Sequence, residues 1–162
     1  MHNFIGYYES PVGWLCIRSD EEAVTEVSFC DAWKPEARNQ IIDRCIRELE
    51  EYFHGTRKSF QVPLKFDRGT KFQQDCWSAL LQVPYGATCS YQDIGEAIGK
   101  KKAVRAVGGA NHNNPICIIV PCHRVIGKNG SLVGYGGGID KKRYLLELEA
   151  KYAKPDENHG RI

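Results

Sequence analysis

The chain has 162 residues, enough for one domain of ordinary size or two small ones that share an interface. Hydrophobic residues make up 42% of it and charged residues 26%, with 16 Gly and 7 Pro, which excludes a disordered chain, a collagen-like repeat and a coiled coil. The formal net charge is only +2, no apolar run nears the ~20 residues that cross a bilayer, and the opening MHNFIGYYES lacks the basic-then-apolar pattern of a signal peptide, so a cytosolic protein is expected.

In chain order, the first third reads as an antiparallel meander. Phe4 to Tyr8 leads into a turn at Ser10-Pro11-Val12-Gly13. Trp14 to Ile17 follows, then an acidic turn at Asp20-Glu21-Glu22, and Val24 to Phe29 completes the meander. Pro35 is expected to open a helix, because Ile42, Cys45, Ile46, Leu49, Tyr52 and Phe53 recur every three or four positions, and Gly55 to end it. A short strand is expected around Phe60 to Leu64. Residues 1–66 thus read as a small α/β unit, an antiparallel sheet plus a helix, in which no catalytic motif is visible.

From Gly69 the pattern turns helical. Thr70 can cap a helix carrying Phe72, Cys76, Trp77, Leu80 and Leu81, which stops before Val83-Pro84-Tyr85-Gly86. Ser90 and Asp93 have capping-box spacing and start a short helix through Ile94, Ala97 and Ile98 to Gly99. A second helix, from about Lys102 to Ala110, follows. Two short helices across a tight glycine turn, the second one basic, fit a helix-turn-helix.

The charge is unevenly spread. Residues 1–68 carry 9 Lys and Arg against 12 Asp and Glu, and residues 69–162 carry 13 against 8, so the halves stand at −3 and +5. The 43 residues from Ala97 to Ile139 contain Lys100, Lys101, Lys102, Arg105, Arg124 and Lys128 and no acid. A solvated surface normally mixes both signs, so a one-sign stretch of this length points to a polyanion. A locally basic surface without a partner is the plainer alternative. In the second helix Ala103, Val104, Ala106, Val107, Gly108, Gly109 and Ala110 carry almost nothing able to read base edges in the major groove. Small residues let a backbone approach closely, and Arg105 alone stands up from them. That suits a minor-groove binder indifferent to sequence, with one side chain as a wedge. A tightly packed buried helix would have the same composition.

Cys16, Cys30, Cys45, Cys76, Cys89, Cys117 and Cys122 include no CxxC pair and are odd in number, so reduced thiols are expected rather than a disulfide framework. With His2, His54, His112, His123 and His159 they form no close ligand set, so neither a metal nor a cofactor is expected. After Asn114-Pro115 the apolar run Ile116 to Val120 leads into Pro121-Cys122-His123-Arg124-Val125. A buried, strand-like segment would deliver a thiol with a base and a cation beside it, the neighbours that make cysteine a nucleophile. On an extended backbone Cys122 and His123 would face opposite sides, so a turn or a bridging water has to connect them, and His123 needs an acid to orient it.

The segments FQQDCWSALLQVPYGATCSYQDIG, RAVGGAxxxNPIxIIVPCHRV and GYGGGxxxKxxLLxxE together resemble the methylated-DNA–protein-cysteine methyltransferases, the O6-alkylguanine-DNA alkyltransferases. The likeness is continuous from Gly69 to Glu149 and weaker at the SPVG hairpin and the EYFHG helix end. It implies a ribonuclease H-like α/β unit over 1–66 and a mostly α-helical winged-helix or helix-turn-helix DNA-binding unit over 69–153 that carries the active site, with a flexible tail over 154–162. It implies the methyl acceptor at Cys122, a base acting through water at His123, the acidic partner of that base at Glu149 and an asparagine hinge at Asn114. Tyr91 falls where the family helps rotate the nucleotide out of the helix, and Arg105 where it fills the vacated space in the stack. Gln92, Lys100 and Lys128 fall at backbone and phosphate contacts, and Lys101, Lys102, Ala103, Ala106 and Gly109 share that DNA-binding surface. Val125 and the loop Tyr135-Gly136-Gly137-Gly138 are implied to form the substrate pocket, the loop closing over the base with three glycines that leave room for a bulky substituent. The zinc site of vertebrate members has no matching Cys/His set here, so no metal is carried over. The implied partner is double-stranded DNA containing alkylated guanine, bound by a monomer in the minor groove with little regard to sequence. The implied reaction is one irreversible transfer per molecule from O6-alkylguanine, and less well from O4-methylthymine, to Cys122. A damage sensor without chemistry, similar to the alkyltransferase-like proteins, is the alternative; in those proteins tryptophan commonly replaces the reactive cysteine.

Overall fold

Three strands, β1 (Phe4–Ser10), β2 (Gly13–Ser19) and β3 (Val24–Phe29), pair antiparallel in the order β1-β2-β3 in the computed structural model, which describes residues 3–31, 35–132, 134–135 and 137–153. Gly13, at φ +111°, closes the first hairpin, where the Ser10 hydroxyl donates to its carbonyl at 2.7 Å. Leu15, Ile17, Val24 and Val27 are buried against helix α1 (Gln40–Phe53), whose stripe of Ile42, Cys45, Leu49, Tyr52 and Phe53 is the one its spacing predicts.

Two local expectations are corrected here. The helix begins at Gln40, not at Pro35, because Ile5 and Ala37 exchange both backbone hydrogen bonds at 2.9 and 3.0 Å and hold the preceding segment against β1. Asn39 then caps the helix, its Oδ1 accepting from the Ile42 N–H at 2.9 Å. The segment from Phe60 to Leu64 makes only a single bridge, Leu64 to Val24. The buried Glu48 carboxylate takes the Gln61 and Val62 N–H groups at 2.9 and 3.1 Å, so these donors are lost to any strand partner.

Helices α2 (Lys71–Leu80) and α3 (Tyr91–Ala97) start at capping boxes, Thr70 with Gln73 and Ser90 with Asp93. Between α3 and α4 (Val104–His112) the chain turns so tightly that a Cβ on Gly95 would lie 3.0 Å from the Lys100 carbonyl oxygen. Helix α4 starts at Val104 rather than Lys102 and runs on to His112. The Trp77 indole N–H donates to the Ala110 carbonyl at 2.8 Å and pins α4 across α2. Val107 and Ala110 are buried, whereas Val104, Arg105, Ala106 and Gly109 are exposed, so the small residues of α4 are not those of a helix buried all round. Helix α5 (Ile139–Tyr152) packs Leu145 and Leu148 into the same apolar core that contains Leu15 and Trp77. A three-stranded sheet with one helix is thus followed by a helical half. Among the described residues no helix is long and apolar enough to cross a membrane.

Candidate active site

The segment leading to Cys122 is anchored to β3 at one point. The Val27 N–H donates to the Pro115 carbonyl and the Cys117 N–H to the Val27 carbonyl, both at 2.9 Å. The expected strand does not continue from there. Ile119 N–H bonds the Cys117 carbonyl, Val120 N–H bonds the Ile116 carbonyl, and Ile118 sits at φ +71°, a left-handed conformation costly for a β-branched residue. Pro115 and Pro121 remove two backbone donors, and Asn114 supplies local bonds in their place. Its Oδ1 accepts from the Ile116 N–H at 3.0 Å and its Nδ2 donates to the Val120 carbonyl at 2.8 Å, so one carboxamide ties both ends of the turn. Cys122 to Arg124 form a 3-10 turn, which replaces the opposite-facing arrangement an extended chain would give.

Cys122, His123 and Glu149 are all buried, at 5%, 0% and 1% exposure. His123 Nε2 lies 2.7 Å from Glu149 Oε2. Glu149 also accepts from Arg124 Nε (2.8 Å) and the Gly86 N–H (3.1 Å) at Oε1, and from Arg124 Nη2 (3.0 Å) and the Tyr52 hydroxyl (2.6 Å) at Oε2. Burial alone would raise the carboxyl's pKa; His123 first and Arg124 next hold it down at about 2. An ionised carboxylate can only accept, so His123 Nε2 carries the hydrogen. Burial, the largest influence on His123, keeps its pKa below the ordinary value despite Glu149, whose charge Arg124 already balances. At neutral pH the ring is uncharged and Nδ1 holds the lone pair, buried and without a protein partner among the described residues.

Burial pushes the Cys122 thiol up to about 11, with the Asn114 side chain and the Lys142 charge pulling the other way. Unaided, roughly one such thiol in 10⁴ would be ionised at pH 7. A base must therefore create the thiolate as it reacts. Lys142 is itself fully buried, its ammonium donating to the Val125 carbonyl, and burial lowers its pKa.

A cavity of about 200 Å³ reaches Cys122 and is lined also by Asn111, Asn114, Cys117, Tyr135 and Gly137. Its volume is below that of a drug-sized ligand site and suits one planar fragment. Part of the wall is Phe29 of β3, which the sequence does not signal. Phe29 meets Tyr135 edge-on at 6.1 Å, and a Cβ on Gly137 would lie 2.6 Å from its ring. The room that a run of glycines suggests is thus partly taken by Phe29. Val125, fully buried and bridged to Cys89, does not line this cavity, nor does Gly138. Gly136 and the tail 154–162 lie outside the described residues. Tyr91 opens α3 half-buried; a Cβ on Gly134 would come 3.1 Å from its hydroxyl.

Outside the cavity, Lys100, Lys101, Lys102, Arg105, Ala106, Gly109 and Lys128 are exposed, and Ala103 stands half-buried at the N-terminus of α4. Gln92 is half-buried and donates to Glu96 at 3.2 Å. Nothing lies within 4 Å of where a Gly109 Cβ would be, so internal packing does not account for the glycine. Three residues enter the site without being singled out for it in the sequence, Tyr52, Phe29 and Lys142, while Arg124, expected as the cation beside the thiol, pairs with Glu149 instead. For Lys142 a signal exists, since it lies two helical turns before Glu149 on the stripe that includes Leu145 and Leu148.

Residues 71–151 match the family described as 6-O-methylguanine DNA methyltransferase, DNA binding domain, and residues 3–66 the one described as 6-O-methylguanine DNA methyltransferase, ribonuclease-like domain. The methylated-DNA–protein-cysteine methyltransferase of Methanosarcina acetivorans is 45% identical over 155 residues, covering 90% of this chain and 97% of its own. The constitutive enzyme of that name in Bacillus subtilis is 42% identical over 158 residues, 91% of this chain and 95% of its own. Among solved structures, the Mycobacterium tuberculosis O6-methylguanine methyltransferase gives a TM-score of 0.86 at 42% identity, covering 97% of this chain and 98% of its own. The structure of M. tuberculosis OGT in complex with DNA gives 0.84 at 45% identity, covering 93% and 95%.

Proposed function

The chain belongs to the 6-O-methylguanine DNA methyltransferase family, whose members repair DNA by alkyl transfer to a protein cysteine, and from that premise we propose that it draws O6-alkylguanine out of duplex DNA and moves the alkyl group onto its own Cys122. The observation that carries this reading is the buried Cys122 at the cavity wall beside a neutral His123 whose tautomer Glu149 sets. His123 Nδ1, through one water, takes the thiol proton. The sulfur then attacks the alkyl carbon, and the C–O6 bond breaks with its electron pair passing to the purine. The purine takes up a proton in exchange for the one Cys122 lost and leaves as guanine. Dealkylating the thioether would require the imidazole or carboxylate beside it to expel the Cys122 thiolate from an unactivated carbon, so each molecule reacts once.

The alkylated base must leave the stack to reach Cys122, at a cost of a few kcal/mol that is smaller for a badly paired base. Arg105 fills the space it vacates, Tyr91 helps turn the nucleotide, and Gln92, Lys100 to Lys102 and Lys128 hold phosphates. The flat, small surface of Ala103, Ala106 and Gly109 admits the minor groove without reading sequence. O4-methylthymine, with a single ring, fills less of the cavity and reacts less well. We place the division of labour at 1–66 for the sheet and α1 and 69–153 for DNA binding and the acceptor, in a monomer acting in the cytoplasm, on the nucleoid if the cell is prokaryotic. Cysteine at position 122, and 45% identity to a named methyltransferase over 90% of the chain, argue against a sensor without chemistry.

Duplex DNA with a labelled methyl on guanine O6 tests the assignment. One equivalent of label should appear on Cys122 by mass spectrometry. Cys122→Ser should abolish transfer while binding of the damaged duplex persists. Label on any of the other cysteines overturns the assignment.

A further inference from the structure

We propose that Tyr52, on α1 in the first third of the chain, is a positioning residue for the transfer: its hydroxyl sets how tightly Glu149 holds His123. The inference rests on the reading of His123 as the base. Most buried tyrosines find a partner for the hydroxyl, so burial alone would say nothing. The atom it bonds does. Tyr52 donates at 2.6 Å to Glu149 Oε2, the oxygen that also receives His123 Nε2 at 2.7 Å and Arg124 Nη2 at 3.0 Å. A donor on a carboxylate oxygen lowers its basicity and weakens its pull on the other donors there. Tyr52 therefore competes with His123 for the same negative charge.

The rest of Tyr52 makes that competition fixed rather than incidental. Its ring is fully buried, edge-on to Phe53 at 5.2 Å and against Phe60 at 5.6 Å, so the hydroxyl is held in one place. Burial first, and Glu149 next, push its pKa well above the ordinary tyrosine value, so it stays a donor across the working pH range. The other titratable or charged groups facing the pair are Cys122 and Arg124 from the 3-10 turn, Lys142 from α5, Tyr85 from the segment before α3 and Tyr135 from the loop before α5. Among them Arg124 also bonds Glu149, through Nε and Nη2. Tyr52 is thus the neutral donor on the oxygen that orients the base.

Removing the hydroxyl should make Glu149 a stronger acceptor for His123 and raise the histidine's pKa. Because the neutral ring is the base, the acid limb of the transfer rate should move to higher pH. On the acid side of that limb, a histidine pKa higher by about 0.5 lowers the rate about threefold. The test compares the unsubstituted protein, Tyr52→Phe and Phe60→Leu, following the histidine rings by NMR titration and the alkylation of Cys122 by duplex DNA across pH. Tyr52→Phe should shift both the His123 titration and the rate limb upward. Phe60→Leu, which disturbs only the packing of the same ring, should lower Tm and shift neither. A 3-fluorotyrosine placed at position 52, a stronger donor of nearly equal size, should shift both downward and serves if Tyr52→Phe folds poorly. Unchanged His123 titration in Tyr52→Phe and in the fluorinated protein overturns the proposal and leaves Tyr52 a core residue. A shifted titration with an unmoved rate limb overturns the role in transfer by removing His123 as the base. If the unsubstituted protein does not alkylate at all, the proposed function fails, and the titration still decides whether Tyr52 sets the basicity of His123.

Discussion

Glu149→Gln concentrates the energetics of the site in one atom change. The carboxylate receives donors on both oxygens: Tyr52, His123 and Arg124 at Oε2, Arg124 and Gly86 at Oε1. An amide of the same shape must turn its NH₂ toward one of these sets, so donor faces donor in either orientation. Arg124, 7% exposed, also loses its counter-charge. Breaking a buried ion pair from one side costs about 3–5 kcal/mol. At ~2–4 °C per kcal/mol for a chain of this size, Tm should drop by about 6–20 °C. The rate should suffer separately, because a neutral amide either faces His123 Nε2 with its NH₂ or accepts from it more weakly than the carboxylate, and Cys122, pushed up to about 11, needs a base. Base catalysis is worth ~10²–10⁴-fold, so transfer should slow by about 10²-fold or more. Thermal unfolding, and methyl transfer measured below both midpoints, read the two effects. A variant with unchanged Tm and a rate within a few-fold of the original would refute the account of Glu149 as the hub.

The same groups dictate how stability depends on pH. The His123 pKa is lowered by burial, so its contribution is complete above the unfolded value of 6.5 and is lost as pH falls below it; Glu149, held at about 2, contributes fully above 4.5 and loses that between 4.5 and about 2. Tm should be level above pH 7 and fall in these two stages, the lower one smaller in Glu149→Gln; a level Tm from pH 7 to 5 contradicts the His123 assignment, and a level Tm from pH 4.5 to 2 contradicts that of Glu149. Arg105→Ala should slow repair of duplex DNA far more than reaction with a free alkylated base, since only the duplex requires flipping, and equal losses on both would remove the wedge role. Substituting Lys100, Lys101 or Lys102 by Ala should weaken binding on all sequences and reduce the salt slope by about one for each lysine that touches phosphate. Gly137→Ala would set a Cβ 2.6 Å from the Phe29 ring and should cost about 1–3 kcal/mol, restored in part by Phe29→Leu. Phe29→Ala should speed inactivation by free O6-benzylguanine relative to methyl transfer, and an unchanged ratio would show that Phe29 does not limit the pocket.

What is local in this protein is legible in its sequence. The meander, the apolar stripe of α1 and the capping box at Ser90 follow from period and cap chemistry acting within a few residues. Long ordered likeness, rather than the Cys122-His123 pair, points to alkyl transfer, because a two-residue motif has too little information to exclude chance. The strand expected at Ile116 to Val120 shows where local pattern stops deciding. An apolar run fits a strand or a buried turn equally, and the two prolines with the Asn114 carboxamide choose the turn. Tyr52 shows the limit most plainly. On the helical stripe it reads as core, and its ring is core. Its hydroxyl meets a carboxylate 97 positions away, and only folding brings α1 and α5 together. Phe29 likewise becomes a pocket wall when β3 packs against a loop more than a hundred residues later. Periodicity records which face of an element leaves water, since burial acts on whole faces. It does not record which polar atoms then meet inside, because hydrogen bonds and charge pairs depend on positions of individual atoms that only tertiary packing specifies.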